Sequence, residues 1–233
     1  MAKLKYYGHA CWLLEQGGAR VLIDPFLRGS RWSNGIPSDL TPTAILLTHG
    51  HADHLGDAVE IALSSSAPVV AMVELANYLQ ELGVKSVDGN FGGVIRFDWG
   101  WAKFVPAWHT SSWTPEGGAM RSSLPNGFVI RFFDKTYYHA GDTAVFYDMK
   151  LIGELTRIDI ALLPIGGHYT MGGDDAVKAV ELLAPKVVIP MHYGTWPPIE
   201  QDPEEFKRKV EAKTSAKCVV VQPGAEWEVP TQL

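Results

Sequence analysis

The sequence predicts an α/β protein, a four-layer αββα sandwich of two mixed β-sheets with helices on their outer faces. Three observations predict it. Short apolar runs of strand length recur along the whole chain. In each half, strands in series give way to alternating strand and helix patterns. Two sheets with outer helices would bury all of these faces, and 233 residues suffice for such a core.

In chain order, Lys3–Tyr7, Cys11–Glu15 and Arg20–Asp24 read as strands parted by Gly8 and by Gly17-Gly18, an opening antiparallel meander. Ala44–Thr48 is a short buried strand. Asp57–Ser65 has a helical pattern, Pro68–Met72 is a strand, and Glu74–Leu82 is a helix stopped by Gly83. Val94–Phe97 and Trp101–Val105 form a hairpin. Phe128–Phe133 and Thr136–His139 form another, with Asp134-Lys135 at its turn. Then helix and strand alternate: Val145–Ile152 helical, Ile158–Leu163 a buried strand, Asp174–Leu183 a helix capped near Gly173 or Asp174. Lys186–Pro190 is a strand, Pro203–Lys213 a charged helix opened by Asp202-Pro203, and Lys217–Gln222 and Trp227–Val229 are closing strands. Two stretches, Arg28–Pro42 and Thr110–Asn126, read as long irregular loops, either functional or mere surface elaboration.

Composition bounds the class. Apolar residues make up 46% and charged residues 20%, ordinary for a soluble globular protein, and nothing divides the chain, so residues 1–233 are expected to form one domain. A net charge of -6 gives no support to nucleic-acid binding. Cys11 and Cys218, the two cysteines, form no CxxC and no disulfide framework. The start MAKLKYYGHA has no signal-peptide core and no apolar run approaches ~18–20 residues, so no transmembrane segment is expected and a cytoplasmic location is the default.

The chemistry concentrates in Thr48-His49-Gly50-His51-Ala52-Asp53-His54, directly after the apolar run Ala44–Leu47. A strand that ends in a ligand-bearing loop presents side chains from a rigid base. Imidazole nitrogen and carboxylate oxygen suit zinc and similar divalent ions. Alternation turns His49 and His51 the same way, toward one ion, and Asp53 and His54, displaced along the turn, can face a second. One histidine alone is more often a packed residue than a ligand, but four donors at this density are not readily explained by packing.

These residues match the HxHxDH motif of the metallo-β-lactamase superfamily, which the chain resembles from Tyr7-Gly8-His9-Ala10 to its last strands. The stretches YGHACWLL, IDPF, HAGDT, LLPIGGHYTMG and IPMHYGT resemble its uncharacterised metal-dependent hydrolase branch, whose relatives include ascorbate-phosphate lactonase and N-acyl-phosphatidylethanolamine phospholipase D. The resemblance implies the metallo-β-lactamase fold and two divalent metal ions, with zinc the default and manganese, iron, nickel or cobalt compatible. It implies that His49 and His51 bind one ion and Asp53 and His54 the other. The remaining ligands are then His109 in PAWHTSS, Asp142 in HAGDT as the bridge, and His192 in IPMHYG, each following a strand pattern. It also implies that Asp24, ending a strand at IDPF, braces the metal-binding loop.

Around that set, His9 either faces the site or hydrogen-bonds in the core. His168, after Gly166-Gly167, is read as substrate-facing or proton-transferring, and His139 as structural. The expected reaction is hydrolysis by a metal-activated hydroxide that Asp53 helps to orient, with His168 or His9 protonating the leaving group. The excess positive charge of two divalent ions points to a small anionic substrate, a phosphoester or a lactone. Relatives of this kind often assemble, so a homo-oligomer is possible. An RNA-processing, tRNA-maturation nuclease resembles the same ligand set, and flavodiiron-type redox proteins use a related site that normally carries Glu where His51 stands. Many β-lactamases proper lack the Asp142-plus-His54 combination, and a non-catalytic metal-binding module is the fourth alternative. No basic arm, no length for a flavin domain, no signal sequence and no lost ligand speak respectively against these.

Overall fold

The structure, a computed structural model, describes all residues from Met1 to Leu233. The strands in chain order are β1 (Lys3–Gly8), β2 (Cys11–Gln16), β3 (Ala19–Ile23), β4 (Ala44–Leu46), β5 (Val69–Met72), β6 (Ser86–Gly89), β7 (Val94–Phe97) and β8 (Gly100–Pro106). They continue with β9 (Ser112–Trp113), β10 (Arg121–Ser122), β11 (Asn126–Phe132), β12 (Lys135–His139), β13 (Ile160–Pro164), β14 (Val187–Met191), β15 (Lys217–Cys218) and β16 (Glu226–Glu228). The helices are α1 (Ala52–Leu55), α2 (Ala58–Ser65), α3 (Val73–Glu81), α4 (Met149–Leu155), α5 (Gly173–Leu183) and α6 (Pro203–Lys213), with a 3₁₀ turn over Pro197–Ile199.

The chain divides into two compact units. The first comprises Met1–Gly93, Thr110–Pro125 and Gln222–Pro230. Its sheet runs β16-β1-β2-β3-β4-β5-β6. The meander β1, β2, β3 is antiparallel, and β4, β5 and β6 add in parallel. The two regimes show in the residues: β4 (AIL) and β5 (VVAM) are buried throughout, as central parallel strands are. Leu13, Leu22, Ile45 and Val69 pack with Ile61 of α2 and Leu75 and Leu79 of α3 in one core. Edge strand β6 (SVDG) escapes sequence patterning because its half-exposed, Gly- and Asp-containing residues resemble a loop.

The second unit comprises Val94–His109, Asn126–Val221 and Thr231–Leu233, with a sheet ordered β15-β14-β13-β12-β11-β8-β7. It repeats the plan. The strands β7, β8, β11 and β12 are antiparallel neighbours, and β13, β14 and β15 follow in parallel. Here again the parallel strands β13 and β14 are buried at every residue. Helix α5 buries Ala176, Val177, Ala179, Val180 and Leu183, a helical stripe. Helix α6 begins as its sequence indicates, with Pro203 in the first turn and the Asp202 carboxylate accepting from Glu204 N–H at 2.9 Å, a cap worth about 1 kcal/mol.

Four expectations need correction. The helix expected over Val145–Ile152 starts at Met149, because the preceding loop has other commitments: Ala144 N–H bonds Trp108 O and Thr143 O accepts from Met171 N–H. The closing strand expected over Lys217–Gln222 is only Lys217–Cys218. One further bond, Val219 N–H to Val188 O, ends the pairing before the turn at Pro223-Gly224. The second hairpin turns at Phe133-Asp134, with Phe133 left-handed at φ 52°, so Lys135 already belongs to β12. In the loop expected over Thr110–Asn126, β9 and β10 form a small two-stranded ribbon.

Both cysteines are free and buried, Cys11 wholly so. Burial is the main force that pushes the Cys11 thiol well above its usual range, and it pushes Cys218 up to about 12. Thiolate is the reactive form, so a disulfide-exchange reagent at pH 8 is expected to leave both thiols unmodified in native protein and to titrate both in denaturant. Rapid stoichiometric reaction of Cys11 without denaturant would show that the β1–β2–β3 meander is not packed as described. No helix is long and apolar enough to cross a membrane.

Candidate metal centre

In the first unit, the residues that carry chemistry stand where strands end. Asp24 follows β3 in a left-handed conformation at φ 46°, and His9 follows β1 at φ 57°. Such backbone costs a non-glycine residue of order 1–2 kcal/mol, and tertiary bonds hold it in place. Asp24 N–H bonds Leu46 O at 3.1 Å, and Tyr6 O–H donates to His9 O at 2.9 Å.

The Asp24 carboxylate is fully buried and accepts three hydrogen bonds: from Thr48 N–H at 2.9 Å, Thr48 Oγ1–H at 2.6 Å and His54 Nδ1 at 2.7 Å. Because a carboxylate only accepts, His54 carries its proton on Nδ1 and has its lone pair on Nε2. The Thr48 hydroxyl hydrogen is spent on Asp24, so at 3.0 Å its oxygen accepts from His49 Nδ1. That leaves the lone pair of His49 on Nε2 as well. One buried carboxylate thus fixes the tautomers of two imidazoles, and it does so through a threonine that sequence reading passed over. Its only signal is its place directly before His49, inside a strand-like run.

His49 Nε2 lies 3.0 Å from His51 Nδ1. Two nitrogens bound to one tetrahedral ion at ~2.0–2.1 Å stand about 3.3 Å apart, so this spacing is near what a shared ion requires. Helix α1 turns Asp53 and His54 out of the motif: Asp53 Oδ2 is 3.8 Å from His54 Nε2 and 3.0 Å from His9 Nε2. The carboxylate again decides the proton, so His9, itself buried, donates to Asp53 through Nε2. The ligand atoms of His9, Asp53 and His54 lie within 4.8 Å of one another, as do those of His49 and His51 and those of His49 and His54.

The loop is also held from outside. Gly50 N–H donates to Ser111 Oγ at 3.0 Å, and a Cβ at Gly50 would come within 2.5 Å of the Trp113 ring. Ser111 and Trp113 belong to the Thr110–Pro125 segment, whose ribbon is tied to α3 by a two-pronged Arg121–Glu81 pair at 2.8 and 2.9 Å. That long loop therefore supports the HxHxDH backbone, and only glycine fits beneath Trp113.

In the second unit, Asp142 lies just beyond β12, and His192 follows β14 with a left-handed backbone at φ 54°. Asp142 Oδ2 is 3.0 Å from His192 Nε2 and 3.6 Å from His109 Nε2. Thr143 braces this group. Its hydroxyl accepts from Trp108 N–H at 2.9 Å and donates to Ala144 O at 2.7 Å, while Ala144 N–H returns to Trp108 O at 3.0 Å. The His109 loop is thereby clamped to the Asp142 loop. His139 is buried and accepts from Gly141 N–H at Nδ1, 3.1 Å, in keeping with a structural role. His168 is exposed on the loop between β13 and α5, with its ring edge-on to Tyr169 at 4.6 Å. Burial pushes the hydroxyl of Tyr193, the residue after His192, up to about 12.

Histidines and carboxylates buried at strand ends are costly unless paired or bound to a cation. Their donor chemistry, imidazole plus carboxylate, fits zinc and its borderline neighbours. Fold and donor set together define a metallo-hydrolase of the metallo-β-lactamase fold, and the Beta-lactamase superfamily domain matches residues 3–192. Within that superfamily, the chain belongs to the UPF0173 metal-dependent hydrolases. The member from Pyrococcus abyssi is 50% identical over 233 residues, covering 98% of this chain and 100% of the relative. The Thermococcus kodakarensis member is 49% identical over 232 residues, covering 98% and 100%. Among solved structures, a metallo hydrolase from the hyperthermophilic archaeon Ignicoccus hospitalis superposes with TM-score 0.88 at 38% identity, covering 98% of this chain and 99% of that one. The superfamily and fold expected from the HxHxDH motif are therefore those found.

Proposed function

We propose that the chain hydrolyses a small anionic phosphoester or lactone at a dinuclear centre loaded with two divalent ions, zinc by default. In this reading His49 and His51 serve one ion and Asp53 and His54 the other. His109, Asp142 and His192 complete the ligand set, with Asp142 as the bridge. The observation that carries it is the Asp24 network, which sets the protons of His49 and His54 on Nδ1, the tautomer in which Nε2 is the nitrogen able to bind a cation. Metal ions so held would lower the pKa of water and polarise the attacked group.

The rest falls to the protein's own residues. Asp53, oriented by His9, accepts a hydrogen bond from the attacking water as well as serving as a ligand. His168, exposed on the loop after β13, is assigned to protonating the leaving group. Asp53 and Asp142 offset only part of the charge of two divalent ions, so the site attracts an anion although the whole chain carries -6.

A panel of bis-p-nitrophenyl phosphate, phosphomonoesters, neutral esters and lactones, assayed on metal-reconstituted protein, tests this. Turnover of phosphorylated compounds or lactones above neutral esters is expected, and neutral esters winning throughout would reject the substrate class. His168→Ala is expected to lower kcat about 10²-fold while leaving metal content intact. An unchanged kcat would remove His168 from the scheme.

A further inference from the structure

We infer that helix α4 is the contact through which two copies of this chain pair about a two-fold axis. Tyr147, just before the helix, and Leu151 and Leu155 within it are spaced four residues apart and so share one face. All three are exposed, at 72%, 52% and 67%, while Met149 and Ile152 on the opposite face are buried. A helix normally turns its apolar side inward only; here a second set of apolar side chains faces solvent. A groove of about 560 Å³ runs beside it between α4 and α5, lined by Lys150, Glu154, Lys178, Glu181 and Leu182, and gives a partner's side chains a seat.

The charges choose the occupant and its direction. Lys150 and Glu154 flank the stripe one helical turn apart, 3.9 Å from each other, and Lys178 pairs with Glu181 at 2.7 Å. The rim is therefore neutral on a chain of net charge -6, so two copies meet there with least repulsion. An antiparallel α4 pair centred near Ile152 sets each Lys150 beside the other copy's Glu154 and brings Leu151 near its own counterpart. A parallel pair would instead stack like charges. An isologous contact needs this self-complementarity. The stripe falls short of the ~800 Å² per partner of a tight dimer, so a reversible dimer in the micromolar range is expected.

Sedimentation equilibrium on the full chain at about 1 to 100 µM tests the pairing. The wild type is expected to dimerise, with Leu151→Glu, Lys150→Glu and Glu154→Lys each raising Kd about 10-fold or more. The double variant Lys150→Glu/Glu154→Lys is expected to return to within about 3-fold of wild type, since it restores both opposite-charge contacts. Circular dichroism and thermal melting check that each variant is folded. A monomeric wild type at the top concentration, self-association indifferent to Leu151→Glu, or a double variant no better than the singles would each overturn it.

Discussion

Replacing Asp24 with alanine is expected to cost about 3–5 kcal/mol of stability and at least 10–100-fold in metal affinity. The carboxylate is fully buried and is the acceptor for Thr48 N–H, Thr48 Oγ1–H and His54 Nδ1–H. Removing it leaves these donors buried without it, at about 1–3 kcal/mol each before relaxation. Against a total stability of about 5–15 kcal/mol, the variant should fold but melt well below wild type. Asparagine at the same position separates packing from proton placement. Its shape is preserved, but its amide NH2 against His54 Nδ1 favours the opposite tautomer, with the proton on Nε2. Asp24→Asn is therefore expected to keep more of the stability than Asp24→Ala and still to lose metal affinity. Thermal melts beside calorimetric zinc titrations check both, and an asparagine variant that binds zinc as wild type does would refute the tautomer argument.

Asp142→Ala is expected to lower kcat/KM about 10³-fold or more and to reduce bound metal from about two ions per chain to one. Asp142 is the carboxylate that His192 Nε2 and His109 Nε2 face at 3.0 and 3.6 Å. Zinc should then raise the melting temperature of the wild type, because a ligand stabilises the state that binds it, and raise that of the variant much less. Equal zinc-induced shifts in the two proteins would take Asp142 out of the ligand set.

Much of this arrangement is legible in the residues, for a physical reason. The parallel strands are buried on both faces, so AIL, VVAM, IALLP and VVIPM are almost unbroken apolar runs, and His49 and His192 come soon after two of them, while Asp24 follows β3 and Asp142 follows β12. What stays hidden depends on three-dimensional bonds. Thr48 looks like the tail of a strand, and its relay from Asp24 to His49 exists only because Asp24 turns left-handed at φ 46°. Left-handed backbone at His9, Asp24 and His192 has no glycine to announce it. Ser111 lies 61 residues from Gly50 in a segment rich in glycine, serine and proline, so its support of the metal-binding loop cannot be read from spacing. The start of α4 moved for the same reason, since hydrogen bonds to Trp108 and Met171 hold the preceding loop. His168, in Gly-Gly-His after a buried strand, is exposed on the loop between β13 and α5.

The central claim is that these histidines and carboxylates hold metal. The most direct test is elemental analysis by mass spectrometry of protein stripped with chelator, reconstituted with zinc and desalted, for wild type, His51→Ala and Asp142→Ala in parallel. About two zinc ions per wild-type chain, falling to one or fewer in both variants, is the predicted result. A wild type that retains no metal, or variants that retain as much as wild type, would contradict it.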